Sequence, residues 1–190
     1  MTLLPAAPRA AAAASPEAAP PAAEQDFRRD LVAIVPSLRA FARGLCGNRD
    51  LADDLAQEAL AKAWAARESF APGTNFRAWM FRILRNHFYS VASRAKRMTA
   101  WDPEAAERLL VAPPNQGGER TLADLERGLA TLPAEQREAL LLMEGGMAWE
   151  DIATVMDCPL GTVKSRITRA RRALKRYLEG PEEISGAGSG

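Results

Sequence analysis

Apolar residues recur at intervals of three and four through most of the chain from residue 27 onward. A first run predicts an amphipathic helix that Gly47 ends, and it comprises Phe27, Leu31, Ile34, Leu38, Phe41 and Leu45. Similar patterns predict further helices at about 50–68, 75–97, 133–144, 148–156 and 159–178. Asp50 is expected to be the N-cap of the second helix. Because no segment alternates apolar and polar residues with period two, the sequence predicts an all-α protein.

Residues 99–120 divide the helical part of the chain into two small domains. They contain Pro113-Pro114 and Gly117-Gly118, which is typical of a flexible linker. We therefore expect helical domains at 26–98 and 121–179. The Ala/Pro-rich residues 1–25 lack the basic start and apolar core of a signal peptide, so a disordered tail is expected there. A second flexible tail is expected at 180–190.

The formal net charge of +1 hides two strongly basic segments. The net charge is +6 over residues 69–98 and +7 over residues 159–178, whereas residues 99–158 carry −8. Binding to a polyanion depends on the local field more than on the total charge. The two segments therefore indicate nucleic-acid binding.

The second basic segment follows an abrupt change of charge at Cys158. Seven bases and no acid lie between Pro159 and Tyr177, whereas residues 150–157 hold acids and no base. On a helical wheel the bases lie on or beside the face opposite Val163, Ile167, Ala170 and Leu174. Solvated helices usually mix both signs to gain favourable pairs. A solvated charged face is the alternative interpretation.

The helix before this segment supports a more specific interpretation. It ends at about Met156, and only Asp157-Cys158 separates it from the basic helix. Aspartate tolerates the left-handed backbone that such a turn can require. Two helices joined by a tight turn, the second basic, form a helix-turn-helix, whose second helix enters the DNA major groove.

Three strings between residues 132 and 174 carry a family resemblance: LPAEQREALLL, WEDIATVMDC and GTVKSRITRARRAL. Together they resemble domain 4 of the sigma factors of bacterial RNA polymerase, and most closely the extracytoplasmic-function group. In that family the basic helix reads the −35 promoter element. The resemblance implies base-edge or close-groove roles for Lys164, Ser165, Thr168 and Arg169, and phosphate contacts for Arg166, Arg171 and Arg172.

The segment from Phe70 to Trp101 combines rings with positive charge. It holds seven of the chain's twelve aromatic residues, six bases and no acid. Binding of single-stranded DNA uses this combination, because cations follow the phosphates and rings stack on unpaired bases. Residues 26–98 resemble sigma domain 2, in which this region opens and reads the −10 element. The resemblance implies −10 roles, including capture of a flipped base, for Phe76, Arg82, Arg85, Asn86 and Tyr89.

The string DDLAQEALAKAW, residues 53–64, resembles the domain 2 helix that docks on the polymerase clamp. The resemblance implies polymerase contacts for Asp54, Gln57 and Glu58. The alternative is an ordinary solvated helix start.

Within the group, the strings TNFRAWMFRILRNHFYS and LPAEQREALLLMEGG look most like the general-stress-response type, EcfG. The resemblance implies three partners: the core polymerase, promoter DNA and an anti-sigma factor of the NepR type that the regulator PhyR displaces. A cytoplasmic location is expected, because the two widely spaced cysteines are typical of reduced thiols in a cytosolic protein. No run of about 18 apolar residues could span a membrane.

Two other functions fit the same fold: a sigma-like decoy that sequesters an anti-sigma factor, and a polymerase-independent helix-turn-helix repressor. A decoy has no need for seven bases on one helix, and a repressor leaves the DDLAQE helix without a purpose. The sequence contains neither a phosphate-binding glycine loop nor a histidine-centred nucleophile, so it does not predict an enzyme. Because Cys46, Cys158 and His87 are far apart in the sequence, neither a metal nor a cofactor is expected.

Overall fold

The computed structural model describes residues 22–99 and 120–179. Regular structure in those ranges is helical throughout, which confirms the predicted all-α fold. An N-terminal module comprises α1 (Ala22–Cys46), α2 (Arg49–Ala65) and α3 (Phe76–Thr99), with a 3-10 turn at Arg67–Ser69. A C-terminal module comprises α4 (Arg120–Ala130), α5 (Ala134–Glu144), α6 (Trp149–Met156) and α7 (Leu160–Glu179). The predicted tails and most of the predicted linker lie outside the described residues.

The three helices of the N-terminal module pack around one apolar core. α1 contributes the apolar positions that its spacing predicted, among them Leu38 and Phe41, and α3 contributes Phe81 and Leu84. α2 turns a stripe of small residues toward this core, consisting of Ala52, Ala56, Ala59 and Ala63. Because these side chains are short, α2 lies close to its neighbours while its opposite face points into solvent.

The N-cap of α2 is Asn48, so the prediction of Asp50 for this position is wrong. Asn48 has an extended backbone, and its side-chain oxygen accepts a hydrogen bond from the Leu51 amide at 3.0 Å. Gly47 ends α1 with a positive φ of 69°, which leaves its neighbour Asn48 to start the next helix. Asp50 lies in the first turn, where its negative charge favours the helix dipole.

The C-terminal module buries the face of α7 that the helical wheel predicted. Val163, Ile167 and Ala170 are buried, and Leu174 packs against the same core. α5 and α6 complete this core with residues such as Leu142 and Ile152. The predicted boundaries of α6 are confirmed, and Pro133 is the N-cap residue of α5.

Asp157 ends α6 with a left-handed backbone, at φ 51° and ψ 52°, and its amide donates a hydrogen bond to the Ala153 carbonyl. Among the described residues it is the one non-glycine with positive φ. This conformation is what the sequence predicted for the turn.

Substitutions at Asp157 are expected to change stability through the backbone alone, because the side chain is exposed. Asp157→Ala should lower the free energy of unfolding by about 1 kcal/mol, since alanine tolerates left-handed backbone poorly. Asp157→Gly should be neutral or stabilising, because glycine adopts this conformation without steric cost. Urea unfolding of the two variants measures the difference, and equal effects of alanine and glycine would show that the backbone conformation is not responsible.

The two modules contact each other directly. α1 packs against α5, and α3 packs against α6. We call this the intermodule interface, and it includes a close approach of Gly44 on α1 to Leu141 on α5. The sequence predicted two modules on a flexible tether and did not predict this contact. No helix in the described ranges is both long and apolar enough to cross a membrane.

Candidate nucleic-acid interface

The −35 candidates lie along the outer face of α7. Lys164, Thr168, Arg169, Arg171 and Arg172 are exposed, whereas Ser165 and Arg166 are half-buried. The hydroxyl groups of Ser165 and Thr168 form hydrogen bonds within the helix. Ser165 donates to the Thr162 carbonyl, and Thr168 donates to the Lys164 carbonyl. The second helix of the helix-turn-helix therefore presents a broad positive face to solvent.

Acidic residues of α5 neutralise part of this positive charge. Arg166 pairs with Glu135 and also donates to the Cys158 sulfur at 3.3 Å. Arg171 pairs with Glu144 at 2.9 Å. In contrast, Lys164, Arg169 and Arg172 have no acidic partner in the part of the chain that the structure describes. These three bases are thus free to meet an external anion, whereas Arg166 and Arg171 must first leave their carboxylates.

Phe76, a −10 candidate, belongs to a cluster of rings at one end of the N-terminal module. Its ring centroid lies 5.4 Å from those of Phe27 and Phe70, and Trp79 packs beside them. Two guanidinium groups, those of Arg28 and Arg67, lie about 5 Å from the Trp64 ring next to Phe27. Phe76 therefore anchors the segment that precedes α3, and its ring is half-buried.

The other −10 candidates follow one another along α3. Arg82 and Asn86 are exposed, whereas Arg85 and Tyr89 are half-buried at the intermodule interface. The Arg85 guanidinium lies 5.0 Å from the Tyr89 ring. Both side chains donate to the carboxylate of Glu138 on α5: Arg85 Nε to Oε1, and the Tyr89 hydroxyl to Oε2 at 2.9 Å.

Glu138 is fully buried, with none of its surface exposed. Burial raises the pKa of its carboxyl group, while the positive charge of Arg85 opposes that change. Burial and the negative charge of Glu138 raise the pKa of the Tyr89 hydroxyl to about 12, so this group stays protonated and can donate its hydrogen bond. The arrangement is a charge-assisted bridge between the two modules.

The polymerase-binding candidates share the solvent-facing side of α2. Asp54, Gln57 and Glu58 are exposed, and their spacing of three and four residues places them on one helical face. Glu58 pairs with Lys62 one turn later at 3.1 Å. The small residues on the other side hold α2 against the core, so this polar face is rigidly presented.

Comparisons with known sequences place both modules in one family. Residues 32–98 match the family described as Sigma-70 region 2, and residues 122–174 match Sigma-70, region 4. The ECF RNA polymerase sigma factor EcfG of Rhodopseudomonas palustris is 43% identical over 161 residues, which are 83% of this chain and 89% of that protein. This chain belongs to the extracytoplasmic-function sigma factors.

One further relative and one solved structure support the assignment of this chain to the sigma factors. The RNA polymerase sigma-H factor of Pseudomonas aeruginosa is 38% identical over 141 residues, which are 67% of this chain and 73% of that protein. Among solved structures, the sigma factor RpoE of Bartonella quintana, in complex with the anti-sigma factor NepR, is 39% identical with a TM-score of 0.73. The match covers 83% of this chain and 99% of that chain.

The site contains residues that the sequence-based prediction did not include, above all the carboxylates of α5. Glu138 lies four residues before the buried Leu142, and this spacing places the two residues on one face of the helix. An acid on the apolar face of EALLLME is a signal that it meets a base in the interior. The identity of that base could not be read from the sigma factor's sequence, because Arg85 lies 53 residues away.

Proposed function

We propose that this sigma factor binds the core polymerase through the outer face of α2 and reads the −35 element with α7. The observation that carries the proposal is the exposed positive face on the second helix of a helix-turn-helix. Lys164, Ser165, Thr168 and Arg169 are the proposed base-edge or close-groove residues. Arg166, Arg171 and Arg172 are the proposed phosphate contacts.

We propose a −10 role for α3 and the segment before it. Arg82 and Asn86 project into solvent, where they can meet a separated strand. Arg85 and Tyr89 offer a cation and a ring 5.0 Å apart, which suits a phosphate and a neighbouring unpaired base. Phe76 lies within the ring cluster, so its proposed contribution is to hold this part of the binding surface in place.

We further infer that the domains extend over residues 26–98 and 121–179 and that Asp54, Gln57 and Glu58 form the polymerase contact. The sigma factor supplies specificity and strand opening, and the polymerase core forms the phosphodiester bond, so we infer that the chain is not an enzyme. It acts where promoter DNA and polymerase are found, in the cytoplasm.

We infer that a NepR-type anti-sigma factor controls this sigma factor in the general stress response. The support is the 43% identity to EcfG and the similarity to a sigma factor solved with NepR. The 21% identical PhyRSL–NepR complex from Sphingomonas, with a TM-score of 0.60, shares the fold. Co-purification with a NepR-type protein tests this inference, and the absence of a complex would contradict it.

The assignment of the two surfaces predicts opposite defects. Arg169→Ala should reduce promoter-specific run-off transcription by roughly fivefold or more, because one base contact contributes about 1–3 kcal/mol of discrimination. Its affinity for core polymerase should not change. The double variant Gln57→Ala/Glu58→Ala should lose affinity for core polymerase while retaining the affinity of the free sigma factor for −35 duplex.

The measurements are run-off transcription from a promoter library with purified core polymerase and a pull-down of the core. Each variant is the control for the other. Loss of core binding by Arg169→Ala would contradict the assignment. Wild-type protein that neither binds core nor produces transcripts would contradict the proposed function as a whole.

A further inference from the structure

The solvent-facing side of α3 continues beyond the residues proposed for the −10 element. Its C-terminal half exposes two hydroxyl groups and two guanidinium groups, which belong to Ser90, Ser93, Arg94 and Arg97. We call these four residues the C-terminal stripe of α3. The proposed function gives them no role.

The C-terminal stripe lies on the same face of α3 as Arg82 and Asn86. At 3.6 residues per turn, these two positions and the four positions of the stripe fall within a sector of about 120°. The buried residues Leu84 and Ala95 lie on the opposite side, where α3 packs against the core. From Arg82 to Arg97, α3 therefore presents one continuous polar surface that is roughly 22 Å long.

The positive charge on this surface is not neutralised by the rest of the described chain. α3 contains no acidic residue. Within residues 22–99 and 120–179, none of Arg82, Arg94 and Arg97 pairs with a carboxylate, whereas Arg85 of the same helix pairs with Glu138. Solvated helices usually mix both signs to gain favourable pairs. A helix face with three such guanidinium groups suits an external polyanion better than it suits water.

The two halves of α3 suit different forms of DNA. All the aromatic residues of this helix lie at or before Tyr89, in the half that carries the −10 candidates, and rings stack on unpaired bases. From Ser90 to Thr99 the helix has no ring, so it offers an unpaired base nothing to stack on. Hydroxyl and guanidinium groups are instead common contacts of duplex phosphates. The change after Tyr89 thus marks the point at which a separated strand would give way to a duplex.

The order of the chain indicates which duplex this is. α3 ends at Thr99, and the next described helix, α4, begins the C-terminal module at Arg120. Because that module carries α7, residues 100–119 connect the C-terminal end of α3 to the −35 side of the promoter. The stripe therefore faces the duplex between the two elements. Ser90 and Arg97 are roughly 10 Å apart along the helix axis, which equals the length of about three base pairs.

We propose that the C-terminal stripe of α3 binds the phosphate backbone of the double-stranded DNA immediately upstream of the −10 element. Arg94 and Arg97 supply positive charge, and the hydroxyl groups of Ser90 and Ser93 donate hydrogen bonds to neighbouring phosphate oxygens. The stripe holds the duplex at the edge of the opened region, while the residues up to Tyr89 hold the separated strand. This inference rests on the proposed −10 role of α3.

Fork-junction DNA separates the stripe from the rest of α3. The probe is double-stranded from the −35 element to the −10 element and single-stranded across the −10 element, with the sequence that run-off transcription identifies. Holoenzyme containing Arg94→Ala/Arg97→Ala should bind this probe roughly tenfold or more weakly at about 100 mM salt. The reason is that affinity changes by about eightfold per neutralised phosphate for each tenfold change in salt. Its affinity for an isolated single-stranded −10 oligonucleotide should not change.

Two further variants show whether the charge and its position matter. Arg29→Ala/Arg127→Ala removes two charges from exposed positions outside α3 and should bind both probes like wild type. Arg94→Lys/Arg97→Lys should recover most of the affinity, because lysine binds phosphate as a point charge. If Arg94→Ala/Arg97→Ala binds the fork like wild type, or weakens both probes equally, the duplex contact is wrong. A wild-type holoenzyme that binds neither probe would contradict the −10 role of α3 itself.

Ser93 allows a test that leaves every arginine in place. Ser93→Glu and Ser93→Gln introduce side chains of the same size, and only the first carries a negative charge. The glutamate variant should bind the fork severalfold more weakly than the glutamine variant, because its carboxylate repels a phosphate on this face. Equal affinities of the two variants would show that no phosphate approaches the stripe.

Neutral phosphates locate the contact on the DNA. Single phosphates within about three base pairs upstream of the −10 element are replaced by methylphosphonates in the fork probe. Wild-type holoenzyme should lose affinity for at least one of these probes. Arg94→Ala/Arg97→Ala should lose little more, because the two changes remove the same interaction. Additive losses at every position would overturn the assignment of these phosphates to the C-terminal stripe.

Discussion

Replacing Ile167 with alanine is expected to destabilise the C-terminal module and to weaken promoter binding even though every base of α7 stays in place. Ile167 is 1% exposed and lies on the buried face of α7, between Val163 and Ala170. Truncating a buried isoleucine to alanine costs about 2–5 kcal/mol, because it removes apolar contacts and leaves a cavity. A whole domain is stable by only about 5–15 kcal/mol, so this loss is a large fraction of the total for so small a module.

The Ile167→Ala effect is measured by thermal unfolding and by binding to the −35 duplex that run-off transcription identifies. Thr154→Ala is the control, because Thr154 is exposed on α6 and its loss should change stability by less than about 0.5 kcal/mol. If Ile167→Ala unfolded at the wild-type temperature and bound DNA normally, the helix-turn-helix core would not be what positions the basic face.

Raising the salt concentration from 50 to 200 mM should weaken binding of the −35 duplex by about a hundredfold. The slope of log K against log salt is about −0.9 for each phosphate neutralised. Four bases of α7 have no acidic partner among the described residues: Lys164, Arg169, Arg172 and Arg176. The expected slope is therefore about −4, whereas all seven bases of the helix would give a slope of about −6.

Fluorescence anisotropy with labelled duplex at several salt concentrations measures this slope. Glu144→Gln releases Arg171 from its 2.9 Å ion pair and should make the slope steeper by about one. A wild-type slope near −6 would show that Arg166, Arg171 and Lys175 all leave their carboxylates when DNA binds. A slope near zero would contradict the role of α7 in DNA binding.

The helix-turn-helix could be predicted from the sequence because its determinants are local. Helical periodicity placed Val163 and Ile167 on the buried face, and the residue type at Asp157 allowed the left-handed turn that the structure shows. The N-cap of α2 was predicted wrongly because Asn48 and Asp50 are both good caps. The structure selects Asn48, which directly follows the end of α1 at Gly47.

The intermodule contacts could not be predicted because they join residues far apart in the sequence. A helical wheel shows that Arg85 and Tyr89 share a face of α3, but it contains no information about which helix covers that face. The charge profile likewise suggested that the bases of α7 had no acids near them. The structure shows that Glu135 and Glu144 come from α5, whose charges are counted in a different segment.

The bare backbone at Gly44 means that a change which strengthens α1 also disturbs how α1 packs against α5. Glycine inside a helix is about 1 kcal/mol less favourable than alanine, so Gly44→Ala should stabilise α1 on its own. The same added atom would lie 2.6 Å from a methyl carbon of Leu141, so the Leu141 side chain on α5 would have to shift. The helical stability of α1 and the close packing of α1 against α5 therefore place opposite demands on this one position.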